Sequence, residues 1–323
     1  MTTDSQAHDQ HHIAFVLMND FSMIAFAASI EPLRLANLLS GRELYSWSCL
    51  SIDGKPVAAS NGLTAMVDGA IDELRQAAMV VVCTGINVER LRPGERFRRA
   101  LRYQASHGAT IGAICTGAYV LARAGLLRGY RCTIHWESLK AFAEEFPRIE
   151  VTAELFEVDR DRMTSAGGTA ALDMMLHYVA GQHGQGLATG IAEMMMHHRI
   201  RSGDDAQRLD ARARLGISHA GLLAAVTRME ENLEQPLRCS DIAREVGLSP
   251  RQLERLFRKY LGCTPSRYYL WLRLDQSRLL LAQTSLSVLN VALACGFVSA
   301  SHFSKCYRER YERTPSQERH LLR

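Results

Sequence analysis

Ile242-Ala243-Arg244-Glu245-Val246-Gly247-Leu248-Ser249, followed by Pro250 to Tyr260 and then Thr264-Pro265, has a second copy further along the chain. That copy reads Val291-Ala292-Leu293-Ala294-Cys295-Gly296-Phe297, then Val298 to Arg310, then Thr314-Pro315. Ala243 and Ala292, like Gly247 and Gly296, are 49 residues apart, whereas Phe257 and Tyr307, like Pro265 and Pro315, are 50 apart. One extra residue therefore sits in the second turn, between Gly296 and Phe303. Each copy predicts a helix-turn-helix. Ile242, Ala243 and Val246 form a short apolar stripe at helical spacing, as do Val291, Ala292 and Cys295. Gly247 and Gly296 follow where the chain needs a positive φ to leave one helix. Ser249-Pro250 suits a helix start, with Ser as N-cap and Pro in the first turn. The next helix is expected to bury Leu253, Leu256, Phe257 and Tyr260, and small Ala243 and Ala292 let the paired helices cross closely.

The outward face of the first copy's second helix carries Arg251, Gln252, Glu254, Arg255 and Arg258. In the second copy it carries Ser299, Ser301, Ser304, Lys305 and Arg308. Such side chains read base edges or hold phosphates in a major groove. A small helical bundle with a solvated basic face is the plainer reading of one such motif, but two in register argue for DNA. The connector Ser266–Gln283 has helical periodicity. At 1.5 Å per residue it makes a rod of ~27 Å, so two recognition helices tied to its ends would lie about one DNA turn apart. Leu237–Pro315 thus resembles the DNA-binding domain of the AraC/XylS family of bacterial transcription regulators. The resemblance implies base readers early in each recognition helix: Arg251, Glu254 and Arg255 in the first copy, and Ala300, Ser301 and Lys305 in the second. Alanine and serine are weak readers, so mainly phosphate contacts are expected from the second motif.

A chain of 323 residues is long enough for two domains. Its net charge of +4 is unevenly spread. Residues 220–323 hold about 16 basic and 10 acidic side chains, roughly +6, which leaves about −2 for the rest. A basic C-terminal third fits nucleic-acid contact at that end. The eight cysteines are scattered, with no C-x-x-C pair, so neither a zinc site nor a disulfide framework is indicated. Free thiols point to a reducing cytoplasm. No apolar run approaches a membrane span of ~18 residues, and Met1–His12 reads as a disordered polar tail in which His8, His11 and His12 have no assigned role.

From Ile13 onward the pattern changes. Ile13–Met18, Met79–Cys83 and Thr110–Ile114 read as buried strands, with further candidates at Trp47–Ile52 and Leu63–Val67. Ser22–Leu39, Ile71–Gln76 and Glu95–His107 read as helices. This alternation predicts a parallel sheet covered on both faces. Gly186–Ile200 reads as the last helix of the domain, with Met194-Met195-Met196 in its core. Arg201 to about residue 218 reads as a linker, and residues 219–323 as the DNA-binding domain.

The strand Thr110–Ile114 runs through Cys115-Thr116-Gly117-Ala118 straight into a helix. Such an elbow pushes a side chain out at the carboxyl edge of the sheet, where ligands of open α/β sheets collect. Cys132-Thr133-Ile134-His135-Trp136 follows. Three readings of Cys115 stand open: a small residue tolerated at a turn, the wall of a ligand pocket, or a nucleophile or redox thiol paired with His135. His135 is either a structural histidine or a pocket wall.

Residues 13–200 resemble the class I glutamine-amidotransferase-like superfamily of the PfpI type, through Gly112–Ala118, Leu121-Ala122, Gly125-Leu126-Leu127, Thr133–Trp136, Ala166–Thr169 and Asp173. The resemblance implies a flavodoxin-like α/β sandwich. The superfamily's enzymes and redox proteins place an acid beside the cysteine, at a position that falls here on Ala25. Alanine cannot relay a proton, which argues against inherited chemistry. The stretches Phe21–Phe26 and Glu31–Asn37 look most like regulators of quaternary-amine and amino-acid catabolism, those responding to glycine betaine, carnitine or arginine. The expectation is therefore a non-enzymatic, cytoplasmic, DNA-binding regulator, an activator of a catabolic operon. It would bind promoter DNA, engage RNA polymerase and dimerise through its sheet domain, with no cofactor. Glu31, Cys115, Thr116, His135 and Trp136 are the candidate effector ligands. The competing expectation is a cysteine amidase or hydrolase, or a thiol redox sensor, built on Cys115 and His135.

Overall fold

Val80, Val81 and Val82 lie in a run with no polar alternation, and each is fully buried, as are Ile13 to Val16. Branched side chains of this kind favour extended backbone, and burial on both faces requires layers of helix above and below. The structure, a computed structural model, describes residues 10–88, 91–284 and 286–321. It divides into two compact units, Met1–Gln207 and Arg208–Arg323.

The first unit opens with β1 (His11–Leu17), α1 (Met23–Ser40), β2 (Tyr45–Ser51), the hairpin β3 (Val57–Ala58) and β4 (Thr64–Ala65), and β5 (Gly69–Ala70). It continues with β6 (Met79–Cys83), α2 (Glu95–Ser106), β7 (Thr110–Ile114), α3 (Ala118–Arg123), β8 (Arg131–Thr133), α4 (Leu139–Glu145) and β9 (Glu150–Thr152). It closes with β10 (Phe156–Asp159), β11 (Arg162–Ser165), α5 (Ala170–His183) and α6 (Gln185–Met194). The seven-stranded sheet has the order β10-β11-β7-β6-β1-β2-β5. All its pairings are parallel except β10 with β11. Ile13, Phe15, Met79 and Val81 face one layer, which includes α1, α5 and α6. Ala14, Val16, Val80 and Val82 face the other, against α2 and α3. Strand order reverses at β1, where the chain leaves toward β2 and returns at β6 on the opposite side. The loops after β1, β6 and β7 therefore converge at the carboxyl edge, where open sheets of this kind bind their ligands.

Several local expectations are corrected. His11 and His12 belong to β1, where His12 bridges the Ser46 and Ser48 hydroxyls of the neighbouring strand; His8 lies outside the described residues. The edge strand β10 makes the sheet mixed. The last helix stops at Met194, six residues early. Met196 then takes a positive φ of 53° and is 81% exposed, so the methionine run is a helix end from which only Met195 packs against the core.

The second unit contains α7 (Ala211–Leu215), α8 (Ala220–Glu231), α9 (Cys239–Glu245), α10 (Pro250–Leu261), α11 (Pro265–Gln283), α12 (Val288–Ala294), α13 (Ala300–Tyr311) and α14 (Pro315–Leu321). The two helix-turn-helix motifs are α9–α10 and α12–α13. Their turns close alike: the Leu248 N–H donates to the Ala243 carbonyl at 2.8 Å, and the Phe297 N–H to that of Ala292 at 2.9 Å. Ala243 and Ala292 are both fully buried, as their crossing role requires. Tyr260, expected inside, is 42% exposed. The buried stripe is Leu253, Leu256 and Phe257, and in the last turn the Tyr260 ring lies at the surface near Lys259 and His219.

The second turn is also locked to its surroundings. Arg273 of α11 donates from Nε to the Cys295 carbonyl and from Nη2 to that of Gly296, both at 2.8 Å, with its guanidinium 4.1 Å from the centre of the Phe297 ring. A Cβ on Gly296 would meet the Leu233 carbonyl oxygen and the Pro236 ring at 2.6 Å, whereas one on Gly247 would meet nothing. Both glycines have positive φ, 74° and 70°. Gly247→Ala should therefore cost only the left-handed backbone penalty of ~1–2 kcal/mol. Gly296→Ala should cost clearly more and loosen the second motif. Chemical denaturation of the two variants checks this, and equal losses would contradict it.

Candidate DNA interface and effector site

Residues 251, 252, 254, 255, 258 and 259 line one open concave surface along α10. Their roles differ. Gln252 caps the helix: its Oε1 accepts from the Ser249 N–H and hydroxyl, while Ser249 Oγ accepts from the Gln252 N–H. Glu254 pairs with Arg258 at 2.9 Å, one turn along. Arg251 and Arg255 are exposed and, among the described residues, have no ion-pair or hydrogen-bond partner. In the second motif Ser299 is the cap of α13, accepting from the His302 N–H. Ser301, Lys305 and Arg308 are exposed, Ala300 is half-buried, and Lys305 and Arg308 are also unpartnered. Two of the candidate DNA contacts on these outward faces, Gln252 and Ser299, thus also hold their own helices. The serine-then-glutamine spacing that signals a capping box was visible in the sequence. The α11 rod has 19 residues, ~28 Å.

At the sheet edge, Cys115 has φ 61°. Gly167 packs directly on it, such that a Cβ there would fall 2.7 Å from the Cys115 Cβ. Asp20 and Asn87 also carry positive φ, 62° and 61°, and the Asn87 amide donates to the Asp20 carboxylate at 3.1 Å. Thr116 donates to the Gly85 carbonyl and accepts from Thr84. Gly85 itself lies against Asp20, leaving no room for a side chain. Non-glycine residues in this conformation are held there by surrounding structure and gather at functional sites. The Cys115 carbonyl accepts from the His135 N–H at 3.1 Å, which brings the 3₁₀ turn Trp136–Ser138 over the elbow. The His135 and Trp136 rings are 5.6 Å apart.

The electrostatics oppose a nucleophile. Burial pushes the Cys115 thiol up to about 11; the Thr116 N–H opposes this and the Glu137 carboxylate adds to it. Burial also lowers the His135 imidazole, with Glu137 only partly countering. A thiolate–imidazolium pair needs the reverse of both shifts. No hydrogen bond joins the Cys115 sulfur to the His135 ring among the described residues, and Ala25 is fully buried where an acid would be needed. The acid that bears on both groups is Glu137, which sequence reading passed over because its approach depends on the 3₁₀ turn. Glu31 is not part of this cluster. The helix α1 starts at the edge, where the Ser22 N–H binds the Thr84 carbonyl. It then runs away, so Glu31 lies ~13 Å along it, paired with Arg34 at 2.7 Å.

The segment expected to be linker from Arg201 is instead strapped to the sheet domain. Asp173, fully buried, accepts from the Arg201 N–H at 2.7 Å, from Arg201 Nε and Nη2 at 2.9 and 2.6 Å, and bonds His197 Nε2 at 2.8 Å. The Gly203 carbonyl accepts from the Leu155 N–H. The Gln207 amide reaches the Thr133 hydroxyl and the carbonyls of Ile134 and Glu154 at 2.8–3.0 Å. Gln207 is the last residue of the first unit, and Ile134 immediately precedes His135. A separate cavity of about 490 Å³ lies beneath the strap, between β10 and α5.

A sheet domain with an open edge, joined to a double helix-turn-helix, defines a DNA-binding transcription regulator. Residues 11–181 match the DJ-1/PfpI family and residues 242–320 a helix-turn-helix domain. The chain belongs to the AraC-type transcriptional regulators that carry an N-terminal DJ-1/PfpI domain. It is 48% identical over 97% of its length to the HTH-type transcriptional regulator GbdR of Pseudomonas aeruginosa, covering 85% of that protein. It is 36% identical to GlxA, an HTH-type transcriptional regulator of Rhizobium meliloti, over 99% of this chain and 98% of that one. A crystal structure of an AraC family transcriptional regulator from Pseudomonas putida superposes with a TM-score of 0.52 at 33% identity, covering 57% of this chain and 99% of that one. The named relatives are regulators and not enzymes.

Two outcomes follow from this geometry. At pH 8, Cys115 should react with iodoacetamide about 100-fold more slowly than an ordinary thiol, read by peptide mass spectrometry; rapid labelling would contradict a neutral thiol. Arg255→Ala should weaken binding to a selected operator by ~1–3 kcal/mol if the side chain reads a base. A uniform loss on all DNA, with a shallower salt dependence, would make it a phosphate contact.

Proposed function

We propose that this regulator senses a small cationic metabolite, a quaternary amine or an amino acid, at the carboxyl edge of the sheet, and does so without consuming it. The observation that carries the proposal is the placing of an aromatic face, Trp136, and a carboxylate, Glu137, on one short turn above an elbow whose thiol is held neutral. A cation over an aromatic ring gains ~0.5–2 kcal/mol, and the carboxylate supplies the counter-charge. Cys115, Thr116 and His135 form the remaining wall. Asp20, with its carboxylate on the Asn87 amide, is a second anionic candidate at the same edge.

Ligand binding at the Trp136 turn would bear on Ile134, and through its carbonyl on Gln207, the last residue before the DNA-binding unit. To act, the ligand must bind one arrangement of this connection more tightly than another. The rest of the proposal is that of a cytoplasmic homodimer that binds promoter DNA and engages RNA polymerase as the activator of a catabolic operon.

The test is a thermal-shift series on the full chain with glycine betaine, carnitine, arginine and related amines. At a ligand concentration 100 times the dissociation constant, the stabilisation is ~2.7 kcal/mol. Trp136→Leu should abolish or sharply reduce it, Gln185→Ala at the cavity beneath the strap should leave it intact, and the ligand should be recovered unchanged. Absence of any shift, loss of the shift with Gln185→Ala alone, or conversion of the ligand would each contradict the proposal.

A further inference from the structure

The extra residue of the second turn can be assigned to one position. Leu248 and Phe297 close their turns with the same hydrogen bond. Ser249 and Ser299 cap the following helices in the same way, each accepting from the N–H three residues on. Ser249 directly follows Leu248, whereas one residue, Val298, separates Phe297 from Ser299. The insertion is therefore Val298. It bulges outward and is 96% exposed, the most exposed large apolar side chain among the described residues.

Its location gives this exposure a use. Val298 stands immediately ahead of α13, at the end of a recognition helix that approaches base edges. The adjacent Ala300 and Ser301 are short, the exposed His302 is tied to the Cys306 thiol at 3.3 Å, and the first charged side chain on that face, Lys305, lies more than a turn further along. This end of the motif therefore offers a branched methyl surface where the first motif offers guanidinium groups. The apolar feature of a major groove is the C5-methyl group of thymine. We propose that Val298 reads a thymine methyl in the half-site bound by the second helix-turn-helix, so that the two motifs read different chemistry: hydrogen-bonding edges by the first, a methyl group by the second. This assignment rests on the DNA-binding function described above.

The experiment begins by selecting preferred duplexes from a random library with the full chain. Each thymine of the second half-site is then replaced singly by deoxyuridine, which removes the methyl and nothing else. At one position the wild-type chain should lose roughly three- to fivefold in affinity, the worth of one buried methyl. Val298→Ser should bind the thymine and deoxyuridine forms equally, at about the affinity of the wild type for the deoxyuridine form. A flat scan on a tightly bound operator, or a sensitive position that stays sensitive in Val298→Ser, would overturn the assignment while leaving DNA reading intact. A selection yielding no preferred sequence would remove both.

Discussion

Much of the sheet domain depends on the left-handed backbone at Cys115. A side chain at φ 61° carries a penalty of ~1–2 kcal/mol, and the elbow keeps it because its neighbours leave no alternative. Gly167 presses on the Cys115 backbone from one side, Gly117 packs within contact of the Val82 carbonyl, and the His135 N–H holds the Cys115 carbonyl. That last bond sets the Trp136 turn over the site and leads, through Ile134, to Gln207. The constraint at the elbow is thus also joined, through the Ile134 carbonyl and the Gln207 side-chain amide, to the last residue of the first unit.

The same elbow explains how an enzyme-like fold serves a regulator. The backbone shape that presents a nucleophile is retained, but the chemistry that would activate one is not. Burial holds the thiol neutral, the imidazole is biased toward its neutral form, and alanine stands where an acid is needed. What remains at the elbow is a neutral thiol and imidazole beside one aromatic ring and one carboxylate, Trp136 and Glu137. In the second unit, Arg273 and Gly296 do for the paired motifs what Gly167 does for the elbow: they fix a turn against its support.

Both units were legible in the sequence, for different reasons. The paired motifs showed themselves because their signals are local and occur twice: alanine for close crossing, glycine for positive φ, serine for capping. The strands Met79–Cys83 and Thr110–Ile114 were legible because burial on both faces removes polar residues altogether. The strap was not. Arg201 and Gln207 lie in a polar, charged stretch that reads as linker, and their partners Asp173, Thr133 and Ile134 are distant in sequence. Glu137 is not legible either, because only the 3₁₀ turn Trp136–Ser138 brings it toward His135 and Cys115. Periodicity places Met196 and Tyr260 inside because it says neither where a helix stops, as at Met194, nor which positions of its last turn still have core beneath them, as at Tyr260. The capping bonds of Gln252 and Ser299 are local, and their spacing to Ser249 and His302 makes them legible.

The most direct test of the whole account is a hydroxyl-radical footprint of the full chain on its selected operator, recorded with and without a ligand that stabilises the protein. Each bound chain should protect two stretches centred about 10–10.5 base pairs apart on one face of the duplex, and the ligand should change their occupancy or extent. A single protected stretch per bound chain would contradict reading by both motifs. A footprint identical in the two conditions would contradict control of DNA binding by the sheet domain.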